Sequence, residues 1–76
     1  KSIIIAKMKY TEELFTKSIY WQKHETNGKY FFAYSNENLL LLRLNNFPDE
    51  PLLTLINGLD ILDLEEIPAN WIVPLN

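Results

Sequence analysis

Two Asn-Gly dipeptides, Asn27-Gly28 and Asn57-Gly58, constrain this chain more than any other feature. Both central residues of a type I′ turn need positive φ, which Asn tolerates and Gly accepts freely. The first dipeptide separates Ile19 to His24 from Tyr30 to Tyr34. The second separates Leu52 to Ile56 from Leu59 to Leu62. Aromatic, β-branched and aliphatic runs around such dipeptides predict hairpins. A two-residue loop at the first sets Thr26 opposite Lys29, His24 opposite Phe31, and Trp21 opposite Tyr34. It gathers Ile19, Trp21, Phe32 and Tyr34 on one face, the expected core. Tyr20, Gln22, His24, Phe31 and Ala33 fall on the other. Cross-strand aromatic pairs favour the first face for burial. At the second dipeptide the same rule pairs Thr54 with Ile61 and Leu53 with Leu62. Leu52, Thr54, Ile56, Leu59 and Ile61 then share a face, and Asp60 falls opposite Leu55 on the other.

The remaining segments extend this pattern. Ser35-Asn36-Glu37-Asn38 is a polar turn into a strand from Leu39 to Leu44. That strand is apolar on both faces except at Arg43, as expected of a central strand covered on both sides. Asn45 to Pro51 carries Pro48 and Pro51, each of which biases the residue before it toward extended geometry. This connection is expected to cross from one sheet or edge to another. Ile4, Ala6, Met8 and Tyr10 alternate with Ile5, Lys7 and Lys9, which suggests another strand. Thr11 to Leu14 fits either one capped helical turn or a bend in a β-ribbon. Glu65 to Asn70 fits a turn or short 3₁₀ helix that places Trp71, and Pro74 ends any strand begun at Ile72. Short connections disfavour parallel pairing. The expected fold is mainly β: a small antiparallel meander of five or six strands, coiled into a roll or barrel, with little helix. A single small β domain is expected over residues 1–76.

Composition limits the function classes. Of the 76 residues 47% are hydrophobic and 13% aromatic, enough to form a core. Thirteen Leu, eight Ile and one Val must pack densely or share a core with a partner, because so short a chain has a high surface-to-volume ratio. There is no cysteine, which removes disulfides, zinc-thiolate sites and thiol nucleophiles and fits a reducing, cytoplasmic setting. The longest wholly apolar run, Leu39 to Leu42, is far short of the roughly 18 residues a membrane span needs.

No catalytic set emerges. His24 is the single histidine, so a histidine metal triad or nucleophile triad is not available, and it is expected to be a solvated strand residue. Ser2, Ser18 and Ser35 lack a nucleophile-elbow context. The two glycines are each spent on a turn, leaving no phosphate loop. Asp60, Asp63 and Glu65 lack the glycine and terminal glutamate of a calcium loop. The chain is expected to be non-enzymatic, with no cofactor and no metal.

Charge is distributed unevenly. The net charge is −3. All seven basic residues lie at or before Arg43, and against Glu12, Glu13, Glu25 and Glu37 they leave residues 1–43 at +3. Residues 44–76 hold Asp49, Glu50, Asp60, Asp63, Glu65 and Glu66 with no base, hence −6. A strongly acidic face steers and orients a basic protein partner.

The segment Asn46-Phe47-Pro48-Asp49-Glu50-Pro51-Leu52-Leu53-Thr54-Leu55, followed by Asp63 to Trp71, resembles a signature of small bacterial proteins without an assigned activity. That signature runs N-x-F-P-D-E-P-L-x-T-L, then a glycine turn, then an acidic stretch ending P-x-x-W. Leu53 departs from its usual Tyr and Leu64 from a frequent Phe. The resemblance implies bacterial origin and a stand-alone small protein; it transfers no activity.

Three functional readings follow. The leading one is a protein-binding module, inhibitor or immunity-like, that uses Asp49, Glu50, Asp60, Asp63, Glu65 and Glu66, with Trp71 at the rim. The second is a structural subunit or homodimer whose strand Leu39 to Leu44 completes a shared sheet core. The third is single-stranded nucleic-acid binding on a Tyr20/Phe31 platform with Lys23 and Lys29. The acidic half, which repels phosphate, weighs against it.

Overall fold

Residues 13–75 are described by a computed structural model of the chain. After a single 3₁₀ turn, Leu14–Thr16, come seven strands: β1 (Ile19–Tyr20), β2 (Gln22–Lys23), β3 (Tyr30–Ser35), β4 (Asn38–Leu44), β5 (Leu53–Asn57), β6 (Asp60–Leu64) and β7 (Trp71–Ile72). Strands β2 to β6 form one antiparallel sheet in chain order, and β1 pairs with β7 separately. The fold is therefore mainly β with an antiparallel meander, as expected. The sheet stays open: β2 and β6 are its two edges and do not close into a barrel. The expected strand over Ile4 to Tyr10 and the Thr11 cap lie outside the described residues.

The polar turn expected at Ser35 to Asn38 forms, while the two Asn-Gly hairpins differ from expectation. Between β3 and β4, Asn36 (φ 52°) and Glu37 (φ 68°) both adopt the left-handed conformation, as a type I′ turn demands. This turn contains no glycine. At the β5–β6 hairpin the two loop residues are Gly58 and Leu59, with Gly58 at φ 64° and Asn57 paired with Asp60. Glycine at the first central position is the type II′ arrangement. The register is thus two residues from the expected one, which leaves each side chain on its expected face.

The first hairpin differs by one residue, and that changes the faces. His24 N–H donates to Tyr30 O (2.9 Å), so Glu25 to Lys29 form a wider loop. His24 Nδ1 accepts the N–H groups of Thr26 (3.2 Å) and Asn27 (3.0 Å), and Asn27 Oδ1 accepts Lys29 N–H (3.1 Å). The imidazole takes over the organising role expected of the Asn-Gly pair. Gln22 lies opposite Phe32 and Lys23 opposite Phe31. A one-residue slip moves a whole strand's side chains to the other face. Phe31 and Ala33 are buried beside Ile19 and Trp21, while Phe32 is half-buried and Tyr34 is exposed.

The core lies on one side of the sheet. Phe31, Ala33, Leu40, Leu42, Leu53 and Leu55 point inward from β3, β4 and β5. Leu14, Ile19, Trp21 and Trp71 cover them. Strand β4 is central, as its apolar run predicts, but Leu39 and Leu41 on its other face are not buried. The loop Asn45 to Leu52 joins adjacent antiparallel strands and does not cross between sheets; Asn45 N–H donates to Leu52 O (3.0 Å).

The β1–β7 pair is parallel, with Ile19 opposite Trp71, contrary to the expectation from connection length. The connection here is the whole meander, so its length imposes no limit. Trp71 locks the closure. Its buried Nε1–H donates to Leu14 O (2.9 Å), and its ring lies 5.1 Å from Trp21 and 6.0 Å from Phe15. Asn70 adds a bond from Nδ2 to Thr16 O (3.1 Å). Trp21 is equally buried, yet its Nε1 has no hydrogen-bond partner among the described residues.

The two indoles therefore predict different costs. Trp71→Phe removes one of the two donors to Leu14 O and leaves the longer Lys17 N–H bond (3.3 Å), at about 0.5–1.5 kcal/mol beyond the loss of ring area. Trp21→Phe loses area only, so its urea midpoint should fall less. At the β3–β4 turn, Glu37→Gly removes a left-handed penalty of about 1 kcal/mol, partly offset by backbone entropy. The expected result is a melting temperature roughly 2–6 °C higher.

Candidate functional site

Strand direction sorts the acidic residues. The β4–β5 loop and the C-terminal end of β6 lie at the same end of the sheet, whereas Asp60 opens β6 at the opposite end beside the turn. Asp49, Glu50, Asp63, Glu65 and Glu66 thus share one end, and Asp60 stands apart. Because the meander keeps chain order, Lys23 lies on the β2 edge and Asp60 and Asp63 on the β6 edge. Arg43 lies between these edges on the central strand β4.

Asp63 is oriented by a directional relay. Arg43 Nη1 donates to Asn45 Oδ1. Asn45 Nδ2 donates to Thr54 Oγ1 (2.8 Å) and to Pro51 O (3.0 Å). The Thr54 hydroxyl donates onward to Asp63 Oδ1 (3.0 Å). Arg43, Thr54 and Asp63 occupy one cross-strand row, so the register itself brings them together. Aligned donors running from a cation to a carboxylate polarise one another.

Glu50 is exposed in the loop between Pro48 and Pro51 and closes that loop on itself. Its Oε1 accepts Asn46 N–H (3.0 Å), while Glu50 N–H donates to Asn46 O (2.8 Å). This reciprocal clamp makes Glu50 a structural element of the proline-bounded loop. Asp49 and Phe47 stand exposed beside it.

Below β6 the chain turns through Glu65 and Glu66 and returns toward the core. An open depression of about 390 Å³ results, lined by Phe15, Asp63, Leu64, Glu65, Glu66, Pro68 and Ala69. Three carboxylates stand over walls of ring, leucine, proline and alanine carbon. Sequence reasoning found the carboxylates and missed the walls. Phe15 comes from the far end of the chain, and only the Trp71 closure brings it here. The one signal in sequence is Pro68 three residues before Trp71, which marks a return of the chain.

Two expected features are corrected. Trp71 is 4% exposed and belongs to the core, so it is not a rim residue. Its size and its buried indole hydrogen bond draw it inward. The Tyr20/Phe31 stacking platform does not form: Tyr20 is 74% exposed and Phe31 1%, on opposite faces because of the one-residue slip in register.

Comparison with protein-family models, with curated proteins and with solved structures finds no match to this chain. Among the described residues no three potential metal ligands assemble, and no helix is long and apolar enough to cross a membrane.

The relay predicts that Asn45→Ala uncouples Arg43 from Thr54 and frees Pro51 O. Amide exchange should accelerate from Asn46 to Leu52 and at Asp63, while Leu42 and Leu55 keep their protection. A stability loss of about 1–2 kcal/mol is expected.

Proposed function

We propose that this chain is a non-enzymatic protein-binding module, inhibitor or immunity-like, that receives a lysine or arginine side chain of a basic partner in the depression below β6. The observation that carries this reading is the pairing of Asp63, Glu65 and Glu66 with the apolar walls of Phe15, Leu64, Pro68 and Ala69 around one concavity. Long basic side chains lay their methylene stems on apolar surface and keep the cation at a polar rim. Carboxylates at such a rim accept charge-assisted hydrogen bonds. Asp49, at the same end of the sheet, extends the negative field that steers approach.

Titration of ¹⁵N-labelled protein with a short lysine- and arginine-containing peptide tests this. Amide shifts should concentrate at Phe15 and from Asp63 to Ala69, weaken with added salt, and vanish in Glu65→Gln/Glu66→Gln. A peptide with glutamine at the basic positions should leave the spectrum unchanged. Equal shifts from both peptides would refute the reading.

A further inference from the structure

The second face of the sheet carries a surface that the acidic end does not explain. One cross-strand row runs Gln22, Phe32, Leu41, Ile56, Ile61 across all five strands, on the side away from the core. Tyr34 and Leu39 form the next row toward the β3–β4 turn, and Phe32 and Tyr34 touch edge to face at 6.3 Å. Ile61 is 69% exposed, Tyr34 68%, Leu39 48%, and Leu59 at the adjacent hairpin tip 91%. With the half-buried Phe32, Leu41 and Ile56 they make one contiguous patch of seven apolar side chains, the kind of surface that marks an interaction site, whereas exposed apolar residues scattered singly need no explanation.

We propose that this face is where a second copy of the chain packs, sheet against sheet. The surface is self-complementary about a twofold axis lying along the apolar row. On β4, Leu39 and Arg43 stand two residues on either side of Leu41. A twofold along the row therefore sets Arg43 of one copy over Leu39 of the other, beside the ring of Tyr34. It keeps the two Arg43 groups apart, and likewise the two Asp63 carboxylates. The central row itself carries no charge. Arg43 is drawn aside to Asn45, which leaves the stripe clear. Two such faces fit the usual sandwich spacing of about 10 Å between sheets. The pairing covers the side of β4 that the described chain leaves open, the side that its Leu39-Leu40-Leu41-Leu42 run would bury in a central strand. It uses neither Glu65 nor Glu66, and only Asp63 of the depression adjoins the packed face.

Sedimentation from micromolar to millimolar protein tests the proposal. The wild-type mass should rise to twice that of one chain and stop there. Ile61→Lys and Tyr34→Lys, at exposed positions, should each raise the midpoint concentration at least roughly tenfold. Circular dichroism should show the sheet intact in both variants. Glu65→Gln/Glu66→Gln should dimerise like wild type, which separates this result from that of the basic-peptide titration. A single-chain mass at every concentration, assembly beyond two, or a dimer indifferent to both lysine substitutions overturns the proposal.

Discussion

The bond from the Trp71 indole to Leu14 O holds the two ends of the described chain together, and the rest of the structure depends on it. A meander alone is a single layer with an uncovered apolar face. Here the 3₁₀ turn, β1 and the segment from Glu65 to Val73 form the cover, and Trp71 is where they meet. The ring contacts with Phe15 and Trp21 make this a cluster of three aromatics in a chain that has few large buried groups to spend. Replacing a buried indole by alanine typically costs about 3–5 kcal/mol, a large share of the stability available to a small domain. The same closure carries Phe15 to the end of β6 and so creates the apolar wall beneath the carboxylates. Core and proposed binding site share one cause.

The cover protects only one face of the sheet, and the two outward features divide the labour. The acidic end is built from loops and a strand terminus, where a directional relay fixes Asp63 and a reciprocal clamp fixes Glu50. The far face is flat, apolar and defined by register. The first suits recognition of a basic side chain, the second association of like surfaces. The two adjoin at the polar row Arg43–Thr54–Asp63, which shares the face of the apolar stripe and lends Asp63 to the depression.

Much of the fold was legible in the sequence. The strand runs β3, β4, β5 and β6, the polar turn at Asn36-Glu37, the central place of β4 and the charge asymmetry all follow from local pattern. The faces of β5 and β6 survived a turn placed one residue away, since a two-residue register change preserves parity. The faces of β3 did not survive, since the His24-organised loop holds five residues, Glu25 to Lys29, in place of two, and an odd change flips parity. No local rule reveals that a histidine ring will accept two backbone N–H groups and widen a turn. The candidate site was half legible. Its charges lie in sequence, but Phe15 stands nearly fifty residues from Asp63.

By itself, then, the sequence determined the main strands and their order, because alternation and turn chemistry are short-range properties and a meander keeps chain order in space. Only the tertiary structure decided register, which face is core, that Trp71 is buried, and that β1 and β7 run parallel. Those depend on hydrogen bonds and ring contacts between residues far apart in the chain, and a one-residue difference in register reverses the outcome for a whole strand.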